Sequence, residues 1–224
     1  MIMGKIDLNT LRFSGRYGEF VAYSTKQGKQ VYRKYTKPTD PKTPKQQAFR
    51  MRFGMVNKVI SPLNLIIKNG FKDQYNSYRS VISHVLRYGV EGEYPNYSIN
   101  YSEVKVAKGE LVLPNNIVAA IDKELNKLKL TWDYSAEANS KRYSRYDNLN
   151  IVCFNDELQK AVGSLGIAKR GDMELEVDYK KIFEKIDSVK NGEVKHIDLK
   201  NIHFWLYLTS QDYSTNSNSI YLEI

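Results

Sequence analysis

Leu128-Lys129-Leu130-Thr131-Trp132-Asp133-Tyr134 alternates without a break. Leu128, Leu130, Trp132 and Tyr134 fall at every second place, and Lys127, Lys129, Thr131 and Asp133 lie between them. Successive strand side chains point to opposite faces, so this stretch reads as a half-buried β-strand with a core side and a wet side. Toward the C-terminus the same period returns in Leu149-Ile151-Cys153, Met173-Leu175-Val177 and Ile202-Phe204-Leu206-Leu208, with a last strand at Ile220-Leu222-Ile224. Toward the N-terminus, residues 96–106 are β-rich, and Gly109 marks a turn before Leu111-Val112-Leu113. This density of short strands, separated by Gly, Asn, Asp and Ser turns, predicts a β-sandwich. Only residues 179–186 break the pattern, and they read as a short helical insertion.

The N-terminal part has a different character. From Arg16 to Tyr35 the pattern is a hairpin: residues 19–25, a tip at Lys26-Gln27-Gly28-Lys29, then residues 30–35, with Gly28 supplying the positive φ of a tight turn. Residues 36–43 hold Pro38 and Pro41 beside Lys37 and Lys42, which predicts an extended basic linker. Thr43-Pro44-Lys45-Gln46 places an N-cap Thr before a Pro at the first helical position, with a Gln three residues after the cap. A helix is expected to start there. Phe49, Phe53, Val56, Ile60, Leu63 and Ile67 then recur at spacings of four and three, a single apolar stripe. Ser61-Pro62 kinks or restarts this helix, Gly70 stops it, and a further helix carries Phe71, Tyr75, Tyr78, Ile82 and Val85 on one side.

Charge is distributed unevenly between these parts. The 224-residue chain has a net charge of +9. Residues 1–60 hold thirteen Lys or Arg against Asp7, Glu19 and Asp40, so this stretch carries +10 and the remainder −1. Such asymmetry points to a polyanion or an acidic protein surface as partner of one end. The cations expected to meet it are Lys26, Lys29, Arg33, Lys34, Lys37, Lys42, Lys45 and Arg50. Several of the seventeen Tyr lie beside cations: Tyr17 at Arg16, Tyr32 and Tyr35 around Arg33 and Lys34, Tyr143 and Tyr146 around Arg142 and Arg145. Tyr with Arg is the composition of contact surfaces with proteins and with nucleic acid.

The region from Gly109 to Ile224 resembles a fibronectin type III or immunoglobulin-like sandwich. The residues that carry this are Leu128 to Trp132, similar to the second strand with its core Trp, and Phe204-Trp205-Leu206-Tyr207 with Asp212 and Ser217-Asn218-Ser219, similar to the sixth strand, its loop and the seventh. Over its whole length the chain resembles a family of uncharacterised proteins of Bacteroidota and their mobile elements, a domain of unknown function. That likeness lies in Gly28-Lys29 with Val31 and Arg33, in Lys42 to Gln46 with Arg50 and Phe53, in Gly70-Phe71, in Gly92 to Tyr97, and in Ser217 to Tyr221. It implies a basic N-terminal module before a sandwich and transfers no functional residue. The expected fold is therefore α+β: residues 1–106 form a basic β-hairpin plus helices with a short β segment, and residues 107–224 an immunoglobulin/fibronectin-like β-sandwich.

Catalytic patterns are missing from the sequence. The three histidines, His84, His196 and His203, show no ligand spacing, and the lone Cys153 falls on an apolar strand face, so a zinc site and a thiol nucleophile are both disfavoured. Gly4-Lys5 and Gly28-Lys29 lack the glycine-rich loop and the Ser or Thr of a nucleotide site. Asp172, Glu174, Glu176 and Asp178 repeat at period two, but strand carboxylates about 7 Å apart diverge from a common cation. If the strands around Leu130 and Leu175 pair antiparallel, Lys127 and Lys129 should instead face some of these acids. No cofactor, metal, membrane contact or small-molecule substrate is expected, and there is no apolar run of the roughly 20 residues a span needs. The N-terminus shows no secretory leader. The expectation is a non-enzymatic structural or interaction protein, a subunit of an oligomeric assembly of the phage or mobile-element kind, located in the producing cell's cytoplasm or in a virion. The alternative is a nucleic-acid-binding protein that lays the basic arm on phosphates.

Overall fold

The computed structural model describes residues 3–7, 12–72, 74–122, 124–125, 127–135, 142–179 and 201–224. The chain divides into two units, Met1–Thr43 and Pro44–Ile224, and the boundary expected at residues 106–107 lies inside the second. The first unit is an antiparallel meander of β1 (Met3–Asp7), β2 (Arg12–Tyr17), β3 (Phe20–Ser24) and β4 (Gln30–Lys34). Strands β3 and β4 form the expected hairpin, closed at its tip by Thr25 N–H donating to Lys29 O and Gly28 N–H donating to Thr25 O, both at 2.9 Å. The sheet extends beyond that hairpin, because Gly18 and Glu19 make a second tight turn that pairs Tyr17 with Phe20. Residues 35–43 belong to no helix or strand, but the linker is not extended throughout as expected, since Lys42 has φ 49°.

In the second unit α1 (Pro44–Ile60) begins at the expected proline, and the chain restarts after Pro62 as α2 (Asn64–Gly70). Gly70 serves a close approach as well as a stop, since a Cβ there would lie 2.1 Å from Val106 O. Next comes α3 (Ser77–His84), which runs on through a π-helical turn, Val85–Gly89. The β-rich stretch is shorter than its sequence suggests: β5 (Val90–Glu93) pairs with β6 (Asn96–Ile99), and a 3₁₀ turn, Tyr101–Glu103, follows. Leu111 makes one bridge, to Ser217, where a strand over residues 111–113 was expected.

The remaining strands are β7 (Asn115–Asp122), β8 (Lys127–Asp133), β9 (Asn148–Asn155), β10 (Lys160–Lys169), β11 (Glu174–Asp178), β12 (Ile202–Thr209) and β13 (Ile220–Leu222). They build two antiparallel sheets, ordered β11-β8-β7 and β10-β9-β12-β13. The class is thus mixed α and β with antiparallel sheets. Strands β8 and β11 pair in the expected register, Lys129 opposite Glu176 and Lys127 opposite Asp178, and Lys127 Nζ lies 3.0 Å from Glu176. Of the expected helical insertion only Tyr179, which is buried, is described; residues 180–186 lie outside the described residues.

Every residue of β9 is buried. Leu149, Ile151 and Cys153 join Leu128, Leu130 and Trp132 of β8 and Phe204, Leu206 and Leu208 of β12 in one core between the sheets. Val152 and Phe154, with Trp205 and Tyr207 of β12, join Val56, Ile60, Leu63, Ile67 and Val85 in a second core beneath the helices. The four-stranded sheet is therefore the middle of three layers. Asn216 pins the helical layer to it: its Nδ2 donates to Gly70 O at 2.9 Å and Asn69 O at 3.0 Å, satisfying carbonyls at the end of α2, and its Oδ1 accepts from Thr209 Oγ1 at 2.8 Å.

Trp132 is buried, and its Nε1 donates to Arg170 O at 2.6 Å. Trp132→Ala should therefore cost about 3–5 kcal/mol. Urea unfolding measures this, and a midpoint equal to that of the parent chain would place the core on the other face of β8.

Candidate functional site

The first unit folds as a sheet because its residues alternate, yet its described side chains bury little. Cross-strand partners share a face, so the ladder assigns each side chain to one of two sides. Tyr17 pairs with Phe20, which pairs with Lys34; Gly15 pairs with Ala22, which pairs with Tyr32. Phe13 lies two residues before Gly15 on the same side. One face therefore carries Phe13, Tyr17, Phe20 and Tyr32 around Ala22. These four aromatic residues keep 39–64% of their surface exposed, and Ala22 is the only buried residue among the described side chains of this sheet.

The opposite face is cationic. Arg16 and Arg33 both pair with Val21, from its two sides, and Tyr23 pairs with Val31 beside them. Two strand spacings separate the guanidinium-bearing positions, about 10 Å. The Arg16 guanidinium lies 3.7 Å from the Tyr35 ring centroid, and its Nε donates to Gly18 O at 2.9 Å. These contacts hold the arginine flat on the sheet.

All eight expected partner-binding cations are exposed, six in the first unit and two in the second. Lys26 and Lys29 sit at the hairpin tip, Arg33 on the cationic face, and Lys34 on the aromatic face opposite Phe20. Lys37 and Lys42 lie on the linker, where Lys42 N–H donates to Asp40 Oδ1 at 3.3 Å. Lys45 and Arg50 belong to α1, in the other unit. Arg16, Phe13 and Phe20 complete the surface and were not among the expected contact residues. Their signal was the alternation of residues 12–17 followed by a two-residue turn at Gly18-Glu19.

Several described groups with catalytic potential make structural contacts. Cys153 is buried in the core between the sheets, where loss of hydration pushes its thiol pKa far up. His84 Nε2 lies 2.9 Å from Glu103 Oε2 and its ring tilts against Tyr88. His203 stacks on Tyr101 with 3.4 Å between ring centroids, and its Nδ1 is 3.0 Å from Tyr221 Oη. Arg170 and Asp147 form a buried pair, Nη2 to Oδ2 3.0 Å, with Nη2 also donating to Val112 O at 2.6 Å and the guanidinium 4.1 Å from the Tyr143 ring. That pair ties the loop before β9 to the turn after β10. Among the described residues, no cluster of three or more His, Cys, Asp or Glu could hold a metal ion, and no helix is long and apolar enough to cross a membrane.

A family model matches residues 12–223 and is that of DUF6266, a family of unknown function. The chain belongs to this family. No curated protein and no solved structure matches it.

His203 gives the structure a pH signature. Burial lowers its pKa to about 4 against the nearby charge of Asp156, which pulls the other way. An unfolded chain binds the proton near the ordinary value of 6.5, so the neutral ring's contribution to stability is complete above that pH and is lost as pH falls from 6.5 toward 4. Asp212, lowered to about 2 by hydrogen bonds from Ser210 and Ser214, acts only below pH 4. Thermal midpoints should therefore drop between pH 6.5 and 4, and His203→Gln should flatten that part of the curve. An unchanged slope in the variant would mean that the ring is not the titrating group.

Proposed function

We propose that this protein is a non-enzymatic interaction protein, a subunit of a larger assembly, whose N-terminal sheet and basic linker engage a neighbouring subunit. The observation that carries this reading is the four-stranded sheet with one buried residue among its described side chains. A sheet of this kind, aromatic on one face and cationic on the other, has too little burial of its own to offset the entropy of ordering it. Contact with another surface supplies what is missing. Residues 107–224 act in this reading as a rigid immunoglobulin/fibronectin-like sandwich. Support for that comes from the strand order, a three-stranded β11-β8-β7 layer across a core from β10-β9-β12-β13, with β8 carrying the core Trp in the place of a second strand. An assembly of the phage or mobile-element kind suits a rigid body with an arm that completes itself on a neighbour.

A second reading, nucleic-acid binding, is favoured by Arg16 and Arg33 on one face and the exposed aromatic rings on the other, since stacking platforms beside cations suit single strands.

Replacing Arg33, Lys34, Lys37 and Lys42 together with Ser distinguishes the possibilities. The assembly reading expects a nearly unchanged melting temperature with a smaller sedimenting species, the loss being larger at low salt because the missing contacts are Coulombic. A lower melting temperature with unchanged sedimentation would overturn it and make these cations structural. Oligonucleotide affinity that falls steeply with salt in the parent chain and flattens in the variant would favour the second reading.

A further inference from the structure

The apolar stripe of α1 is covered along only part of its length. Val56 and Ile60 are fully buried, and Leu63 and Ile67 continue the cover, whereas Phe49 and Phe53 keep 60% and 44% of their surface exposed. The two rings stack on one another, centroids 6.5 Å apart. Facing them are Ile82 of α3 and Leu86 of the π-helical turn, and the space between is a groove of about 740 Å³.

This groove is held open by polar ties. Tyr78 Oη donates to Asn57 Oδ1 at 3.0 Å, joining α3 to α1, and Arg52 Nη2 donates to Leu86 O at 2.7 Å, fixing the π-helical turn. Such turns carry an extra residue relative to the α-helical ladder and frequently mark functional sites. Here the turn keeps Val85 in the core and leaves Leu86 and Arg87 lining the groove. The charged residues that line it are Arg79 and Arg87, and no acid lines it among the described residues.

We propose that this groove docks an amphipathic helix of a partner protein that carries Asp and Glu along the flanks of its apolar stripe. Two apolar ridges on facing helices leave a slot for a third, read by anchors at i, i+3 or i+4 and i+7. The lining arginines select acidic flanks and repel basic ones. Charge also argues against a second copy docked through the same groove, because Arg79 and Arg87 of one copy would then meet those of the other. All the residues that line this groove belong to the second unit, and the proposal stands without the preceding one.

Two synthetic helical peptides test it by fluorescence anisotropy with the full chain. Both carry the same leucine stripe, one flanked by Glu and the other by Lys. The Glu peptide should bind at least about tenfold more tightly. Phe49→Ser with Phe53→Ser should abolish most of that affinity without lowering the melting temperature, since both rings are exposed. Arg79→Glu with Arg87→Glu should reverse the preference toward the Lys peptide, while the quadruple Ser variant of the N-terminal cations should leave it intact. Equal binding of the two peptides, binding of neither, or full affinity in the phenylalanine variant would overturn the proposal. Self-association of the parent chain that the phenylalanine variant loses would overturn it as well, by showing that a second copy covers this face.

Discussion

Strands β9 and β12 are buried on both faces, and that constraint organises the second unit. A sheet with two dry faces needs an apolar layer on each, and the chain supplies one from β8 and its neighbours and the other from the helices. Polar residues inside such a sheet must find partners within the protein. Asn150 does so by donating from Nδ2 to Thr209 Oγ1 at 2.7 Å and accepting Gly166 N–H at 2.8 Å, and Asn216 completes the row by reaching α2. The same polar row thus pairs its own amide groups and fastens one layer to the next.

Against this the first unit is its physical opposite. Its four strands pair backbone to backbone, but only Ala22 is buried among its described side chains. The aromatic residues that would form a core in a sandwich lie open around Ala22, and the opposite side is occupied by guanidinium groups. One chain therefore contains a body stabilised from within and a sheet whose side chains suit contact with something else. The exposed Phe49 and Phe53 repeat the theme at the start of α1, where a stripe that begins in solvent ends in the core.

Local chemistry was the readable part of the sequence. Pro44 gave away the start of α1, Gly28 the hairpin tip, and the alternation of residues 127–134 the face and register of β8. Residues whose roles depend on distant layers were harder to read. The near-continuous run Leu149 to Phe154 conceals a strand with two dry faces, which periodicity alone renders as a half-buried one. Strand β7 reads weakly because Ala119 and Ala120 blur its alternation, and β10 because Gly163 and Gly166 interrupt it. Phe49 and Phe53 share spacing with buried residues, so nothing local tells which end of the stripe is covered. Arg170 carries no local mark of burial, and only its placement beside Asp147 and Tyr143 makes it an interior cation. Of the interaction surface, the cations and tyrosines were visible in composition, whereas their separation onto two faces required the ladder.

With only Ala22 buried among its described side chains, the N-terminal sheet has little core of its own. Native-state hydrogen exchange of the isolated full chain tests it directly, by comparing the amides of β3 and β4 with those of β9 and β12. Strands β9 and β12 should exchange only through global unfolding, while the β3–β4 ladder opens at a much lower free energy. Equal protection of the two sets would contradict it, because a sheet that holds as firmly as the twice-buried strands has its stabilising layer already.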